Sequence, residues 1–400
     1  MVWLSSSNRE EASRQMRYIY IVAALTVFIL WITTYQHSMT AFISSNNKQQ
    51  QTNTTLTTQP LCTIETFNKG KWAYSPIQLE EPFTAKEFAK ITGYYCMKKF
   101  AHRCFRRGGN ELTRSKTIAD YRWLPESCKL LKFDAGKLAK HFVQYPILFV
   151  GDSITQLQFE SLSCLLGHEF PNKHPNQSTL NGGNSKIRVD ERAPINGHTA
   201  AMAYIRSDYL IRLNDYKMIS PLEPVGLQLG REENHPWVHA LSQFNYIVIN
   251  TGPHWHPNVH WGSNQSETEL LMAFKKAMHI IFDYLKIHIK LQQKVWIRTT
   301  PYGHANCSQF KEPQQNPLVP SGQQGEYEWH LFQKFDLIWK ELLDEVNDTR
   351  FSLFDITTMF NQRGDAHSKP DKDCLHTCIP GPVDDWNRLL YHEIMKYQKE

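Results

Sequence analysis

The chain has 400 residues, 41% of them hydrophobic and 21% charged, with a formal net charge of +5. Length and apolar content are those of a globular protein with one large domain or two smaller ones and a sizeable core. The charge is too small and too dispersed to point to nucleic acid.

The first element is apolar. Residues 18–35, "YIYIVAALTVFILWITTY", carry no charged side chain. As a helix they span about 27 Å, close to the hydrocarbon thickness of a thin secretory membrane. Arg14 and Arg17 precede the stretch, and no lysine or arginine follows until Lys48. The positive-inside rule then predicts a cytosolic tail over 1–17, a transmembrane signal anchor over 18–35 and a lumenal remainder. A cleaved signal peptide is the competing reading, but no small-x-small site follows closely.

Residues 36–60 are polar and rich in Gln, Asn and Thr, and they read as a flexible stem. Residues 61–135 show little periodicity and hold Cys62, Cys96, Cys104 and Cys128, which predicts a disulfide-braced, loop-rich subdomain. Its densest basic stretch, Lys98 and Lys99 with His102, Arg103, Arg106 and Arg107, reads as a solvated face rather than a groove for an acidic glycan. The other cysteines are Cys164, Cys307, Cys374 and Cys378. All eight lie beyond the anchor, as expected of disulfides in an oxidising compartment, with the pairing left open. Glycosylation sequons at Asn53, Asn176, Asn264, Asn306 and Asn347 agree with a lumenal address.

Over 136–400 the pattern changes. Strand-like runs at 147–150, 200–205, 246–250, 294–299 and 351–356 are separated in several places by helical patterns at 154–166, 266–288, 325–346 and 385–398. Strands alternating with long helices predict an α/β domain with a mostly parallel sheet and helices on both faces. Ligands in such folds bind beyond the carboxyl ends of the strands.

The apolar run at 147–150 ends in Gly151-Asp152-Ser153 and meets a helix. Asp152 or Ser153 could be no more than a helix cap. A serine at that edge can also be a nucleophile, with first-turn amides facing an oxyanion. A nucleophile needs a base, and the base an orienting group. "DCLHTC" (373–378) supplies both types, because Asp373 and His376 stand three residues apart. The alternatives for that stretch are a disulfide-bounded loop and a metal site built from Asp373, Cys374, His376 and Cys378. His254, His256 and His260 raise a second metal possibility, against which contact with carbohydrate is favoured. Trp237, Trp255 and Trp261 are candidate stacking platforms or core residues.

These blocks together resemble the plant trichome-birefringence-like polysaccharide O-acetyltransferases, within the PC-esterase and SGNH-hydrolase group. "GDSITQLQFESLSCLL" (151–166) and "DCLHTCIPGPVDDWN" (373–387) resemble the two end blocks of that family. "CTIETFNKGKWAY", "YYCMKKFAHRC" and "DYRWLPESC" resemble its cysteine-rich opening, with Gly-x-Trp and Trp-x-Pro elements. "YIVINTGPHWH" and "VWIRTTPYGHANC" resemble its Asn-Thr-Gly-His-Trp and Arg-x-x-Ser-Pro-x-His elements. The order matches from residue 62 to about 394. Thr377 stands where the family has tryptophan, Pro253 is inserted before His254, and the Arg-Asn pair after the family serine is missing.

The resemblance implies an SGNH-like three-layer α/β/α fold and a Golgi type II enzyme. Ser153 is then the nucleophile, His376 the base and Asp373 its partner. Gly151, Asp152, Asn250, Gly252, His254 and Trp255 are the expected oxyanion or substrate residues. The expected partner is a polysaccharide or oligosaccharide acceptor. No tightly bound cofactor or metal is implied, only an acetyl donor, either acetyl-CoA or an acetylated intermediate. An esterase with the same triad and an inactive lumenal glycan-binding protein are the alternatives.

Overall fold

A computed structural model describes residues 59–96, 100–167, 201–211, 236–256, 266–320 and 328–397, together with Thr26 and the backbone of 187–190, 217–219 and 223–225. Apart from Thr26, the proposed tail, anchor and most of the stem lie outside the described residues. So do Asn53, Asn176, Asn264, His260 and Trp261. Among the described residues no helix is long and apolar enough to cross a membrane.

Residues 59–400 form one compact unit. Its strands are β1 (Gly70–Tyr74), β2 (Tyr121–Pro125), β3 (Ile147–Gly151), β4 (Ile187–Asp190), β5 (Met202–Arg206), β6 (Lys217–Ile219), β7 (Glu223–Val225), β8 (Tyr246–Ile249), β9 (Lys294–Arg298), β10 (Phe351–Phe354), β11 (His367–Lys369) and β12 (Asp373–Thr377). The helices are α1 (Ala85–Thr92), α2 (Gly109–Ala119), α3 (Ala135–Gln144), α4 (Ser153–Leu165), α5 (Pro236–Ala240), α6 (Glu267–His288), α7 (Phe332–Val346), α8 (Thr357–Phe360) and α9 (Pro382–Met395).

The central sheet has the order β10-β9-β8-β3-β5-β4. All neighbours are parallel except the edge strand β4, which runs antiparallel to β5. Side chains alternate across it. Ile147, Phe149, Met202, Tyr204, Val248 and Trp296 join a core with α3, α4 and α9. Leu148, Val150, Ala203, Ile205, Ile247, Ile249 and Ile297 join a second core with α5, α6 and α7. A sheet buried on both faces needs apolar residues at consecutive positions, which explains runs such as "ILFV". In chain order the parallel strands are arranged 2-1-3-4-5, so the order reverses between β3 and β8. A crevice opens at the carboxyl end of such a reversal.

Residues 61–135 carry more regular structure than their aperiodic sequence predicts, and they pack into the same compact unit as the α/β body. β1 and β2 pair antiparallel with Trp72 opposite Trp123, and α1 and α2 lie between them in the chain. The indole of Trp123 donates to the Phe67 carbonyl at 2.7 Å, and that of Trp72 to the Met359 carbonyl at 2.8 Å. The disulfides are Cys62–Cys128, Cys96–Cys164, Cys104–Cys378 and Cys307–Cys374. Only the first lies within this region. The second ties it to α4 and the third to the end of β12, so it is stapled onto the α/β body.

The basic stretch is not wholly solvated either. Arg107 donates to the Ser368 carbonyl, and Arg114 on α2 donates to the carbonyls of Asp365 and His367 at 3.3 and 3.0 Å. Arg363, fully buried, pairs with Asp365 at 2.8 Å and lies 4.4 Å from the Trp72 ring. The amino-terminal region therefore grips the segment that leads into β11 and β12.

Candidate active site

β3 delivers Gly151, Asp152 and Ser153 to the carboxyl edge of the sheet, beside the point where the strand order reverses. Asp152 does cap α4, its Oδ1 accepting from the amides of Ile154 and Thr155 at 2.9 and 3.4 Å. The capping role and the placement of the serine coexist, because the cap is the residue before it. Asp152 is fully buried and lies within the electrostatic reach of Arg298 at the end of β9. Burial pushes the Arg298 guanidinium down to about 10, against the pull of Asp152 and Asp336, so it stays charged at neutral pH. Arg298 also donates to Thr155 Oγ1 at 3.0 Å and lies 5.2 Å from the Trp386 ring. It fixes the first turn of α4 from below.

Gly151 has no room for a side chain. A Cβ there would lie 2.4 Å from the Asn250 carbonyl oxygen and 2.5 Å from Thr155 Oγ1. Both are packed atoms with little freedom to retreat, so Gly151→Ala is expected to cost about 1–3 kcal/mol. It would also displace Ser153, and a denaturation midpoint measured beside the turnover rate separates the two effects.

The other half of the site comes from the hairpin β11–β12, some 220 residues further along. Ser153 Oγ lies 2.8 Å from His376 Nε2, and His376 Nδ1 lies 2.9 Å from Asp373 Oδ2. Asp373 Oδ1 also accepts from the amides of Leu375 and His376, each at 3.1 Å. Burial would raise the Asp373 carboxyl. Its hydrogen bonds to the His376 ring and to both amides, with the ring's charge, outweigh that and hold it well below the usual carboxylate range. It is therefore ionised at neutral pH, and it selects the His376 tautomer with its proton on Nδ1. The Nε2 lone pair then points at the serine hydroxyl. The His376 and Asp373 side chains keep 15% and 28% exposure, enough for a ligand to reach them.

Further groups at the site were not foreseen. His102 stacks on His376 with ring centroids 5.1 Å apart and planes at 11°, its Nδ1 lying 2.9 Å from Ser368 Oγ. Burial first, then the charge of His376, pushes His102 down to about 4, so it is a neutral plate against the working ring. No local signal could find it, since the contact spans more than 250 residues. Arg298 had a visible sign, a lone cation closing an apolar strand.

The remaining sequence candidates divide. Asn250 sits beside Gly151, but its amide nitrogen donates to the Arg298 carbonyl at 2.8 Å and to Thr300 Oγ1 at 3.0 Å. That spends the donor on tying β8 to β9. Gly252 packs against Thr300 and accepts from the Trp255 amide at 2.9 Å. His254 approaches Asp208 at 3.7 Å, in the loop after β5. Trp255 corrects the expectation of a sugar contact: it is fully buried, donates to Thr251 Oγ1 and packs on Phe274. Enclosed on all sides, it has no face for a ligand. Trp237 is likewise core. Cys374 and Cys378 are both in disulfides, which removes the thiolates from any metal site in 373–378. Thr377 is fully buried opposite His367, so its departure from the family pattern bears on packing.

The second half of the late block is structural. Asp384 on α9 accepts from Ser161 Oγ on α4 at 2.7 Å and from the Tyr94 hydroxyl, and Asn387 donates to Ser161 Oγ at 2.9 Å. Trp386 is fully buried. "DxxH" brings side chains to the serine, while "DDWN" locks α9 onto the serine's own helix.

The PC-Esterase family, described as a GDSL/SGNH-like acyl-esterase family found in Pmr5 and Cas1p, matches residues 130–393. Xyloglucan O-acetyltransferase 1 of Arabidopsis thaliana is 23% identical over 90% of this chain and 87% of its own length. Trichome birefringence-like 14 of the same plant is 27% identical over 68% of this chain and 76% of its own length. Trichome birefringence-like 25 is 23% identical over 70% and 68%. The chain belongs to the PC-Esterase family, with trichome birefringence-like proteins among its relatives.

Proposed function

We propose that the protein is a polysaccharide O-acetyltransferase working through an acetyl-serine. The observation that carries this reading is the continuous hydrogen-bonded array from Ser153 through His376 to Asp373 at the carboxyl end of β3. His376 Nε2 takes the hydroxyl proton as Ser153 Oγ attacks the acetyl carbonyl. Collapse of the tetrahedral intermediate breaks the bond to the donor, whose leaving group receives that proton. A sugar hydroxyl then enters, gives its proton to His376 and attacks the acetyl-serine, and Ser153 leaves with the proton returned. The Ser153 amide, which the Asp152 carboxylate does not take, is the proposed oxyanion donor; Gly252 could add only its main-chain amide, and Asn250 none, since its own amide donates to the Val150 carbonyl at 3.0 Å.

Water in place of the sugar hydroxyl makes the same machinery an esterase, and only exclusion of water separates the two. The likeness to a protein named as a xyloglucan acetyltransferase favours transfer. The proposed setting is the Golgi membrane, type II, with the catalytic unit lumenal. Four disulfides support an oxidising compartment.

The test incubates the full chain with an activated acetyl donor and a panel of neutral and acidic oligosaccharides, read by mass spectrometry. An acetyl increment on one glycan is the expected result. Donor consumed with every glycan unchanged supports the esterase, and neither product supports the glycan-binding alternative.

A further inference from the structure

The hairpin that carries His376 is irregular where the chemistry sits. β11 and β12 pair His367 with Thr377 and Lys369 with Asp373, so two residues on one strand advance against four on the other. The extra length bulges over Cys374–His376. A bulge leaves main-chain groups without ladder partners, and buried ones must be satisfied elsewhere.

Two histidines meet that need. The main-chain amide of His304 donates to the Cys374 carbonyl at 2.9 Å. His367 Nδ1 lies 3.3 Å from the His376 carbonyl oxygen, an acceptor only, so this nitrogen carries the proton. His367 Nε2 is then a lone pair, and at 2.6 Å it receives the proton on His304 Nδ1. Each donor thus assigns the next tautomer. Both rings are fully buried, and Phe360 stacks on His304 at 5.3 Å.

We infer that His304 and His367 are positioning residues for the reaction: their donor chain ends on the His376 carbonyl and sets the depth and angle at which that imidazole meets Ser153. Neither touches the reacting atoms. The inference rests on the reading of His376 as the general base. It also gives "YGHANC" a role that the serine chemistry alone did not supply.

The test uses the full chain, with active sites counted by covalent labelling with a fluorophosphonate and turnover expressed per labelled site. His367→Leu removes the donor to the His376 carbonyl. Turnover per site is expected to fall about tenfold to a hundredfold, the size of loss caused by small misplacement of a catalytic group, with KM within about twofold. His367→Asn places an amide donor near the Nδ1 position and is expected to restore most of the rate. Where His367→Leu does not fold, His304→Leu carries the same test, with His367 left free to change tautomer. Unchanged turnover per labelled site in both leucine variants, with only yield or melting temperature reduced, overturns the inference. Equal losses in His367→Leu and a folded His367→Asn also overturn it, since the donor would then be irrelevant. Failure of the underlying reading is distinguishable, because Ser153→Ala would then keep its activity and wild type would take no label.

Discussion

Ser153→Ala is expected to lower acetyl transfer at least about 10⁴-fold while leaving the fold intact. Removing the nucleophile of a Ser-His-Asp array typically costs that much or more, and what survives comes from binding and oxyanion donors alone. The hydroxyl is half-buried and, among the described residues, bonded only to His376, so its loss creates neither a cavity nor a stranded core group. The informative comparison is with Asp373→Asn. That change keeps the shape but gives up the carboxylate that holds the proton on Nδ1, and a loss on the order of 10⁴ is expected from the wrong tautomer. The double variant should be little worse than Ser153→Ala alone, because both residues serve one step. An acetyl adduct on the Ser153 peptide, trapped from wild type and missing in the alanine variant, is the direct readout. Near-wild-type rates in Ser153→Ala would overturn the acyl-serine mechanism outright.

Opening the Cys104–Cys378 disulfide is expected to have the largest effect on stability, about 2–5 kcal/mol. It joins residues 274 apart in sequence, and long closures restrict the unfolded chain most. The effect reaches the site, because Cys378 follows β12 by one residue. The second bridge, Cys307–Cys374, holds the other end of "DCLHTC" immediately after Asp373. Base and orienting acid are therefore stapled on both sides. Paired Cys104→Ala and Cys378→Ala substitutions should lower the denaturation midpoint and also turnover per folded molecule, since the hairpin regains freedom relative to Ser153. A stability loss with unchanged turnover would mean that the Arg107 and Arg114 contacts to β11 suffice to hold it.

The sequence by itself determined the parts that local chemistry encodes. Strand-like runs of four to six residues, rich in apolar side chains, located the five parallel strands, because a sheet covered on both faces favours that pattern. The ends of α4 and α9 shifted by only one to three residues from their expected places. The serine at the strand end and the Asp-x-x-His spacing were legible because a tight turn and a four-residue stretch are each set by adjacent residues.

Only the tertiary structure decided what depends on distant segments. Cysteine pairing is one case, since eight cysteines allow many connectivities and nothing local ranks them. Trp255 is another: the same indole suits a sugar platform or a core, and the packing of α6 chose the core. Asn250 was placed correctly at the sheet edge, but its amide was claimed by β9, a neighbour that sequence order does not reveal. Residues 61–135 read as loop-rich because short strands and helices braced by disulfides and by the surface they pack on need little amphipathic periodicity of their own. The meeting of Ser153 with His376 across 223 positions follows the same logic. Each half is specified by its own few residues, but the distance between them is set by the fold, through a sheet whose order reverses beside β3 and a hairpin clamped from the opposite end of the chain.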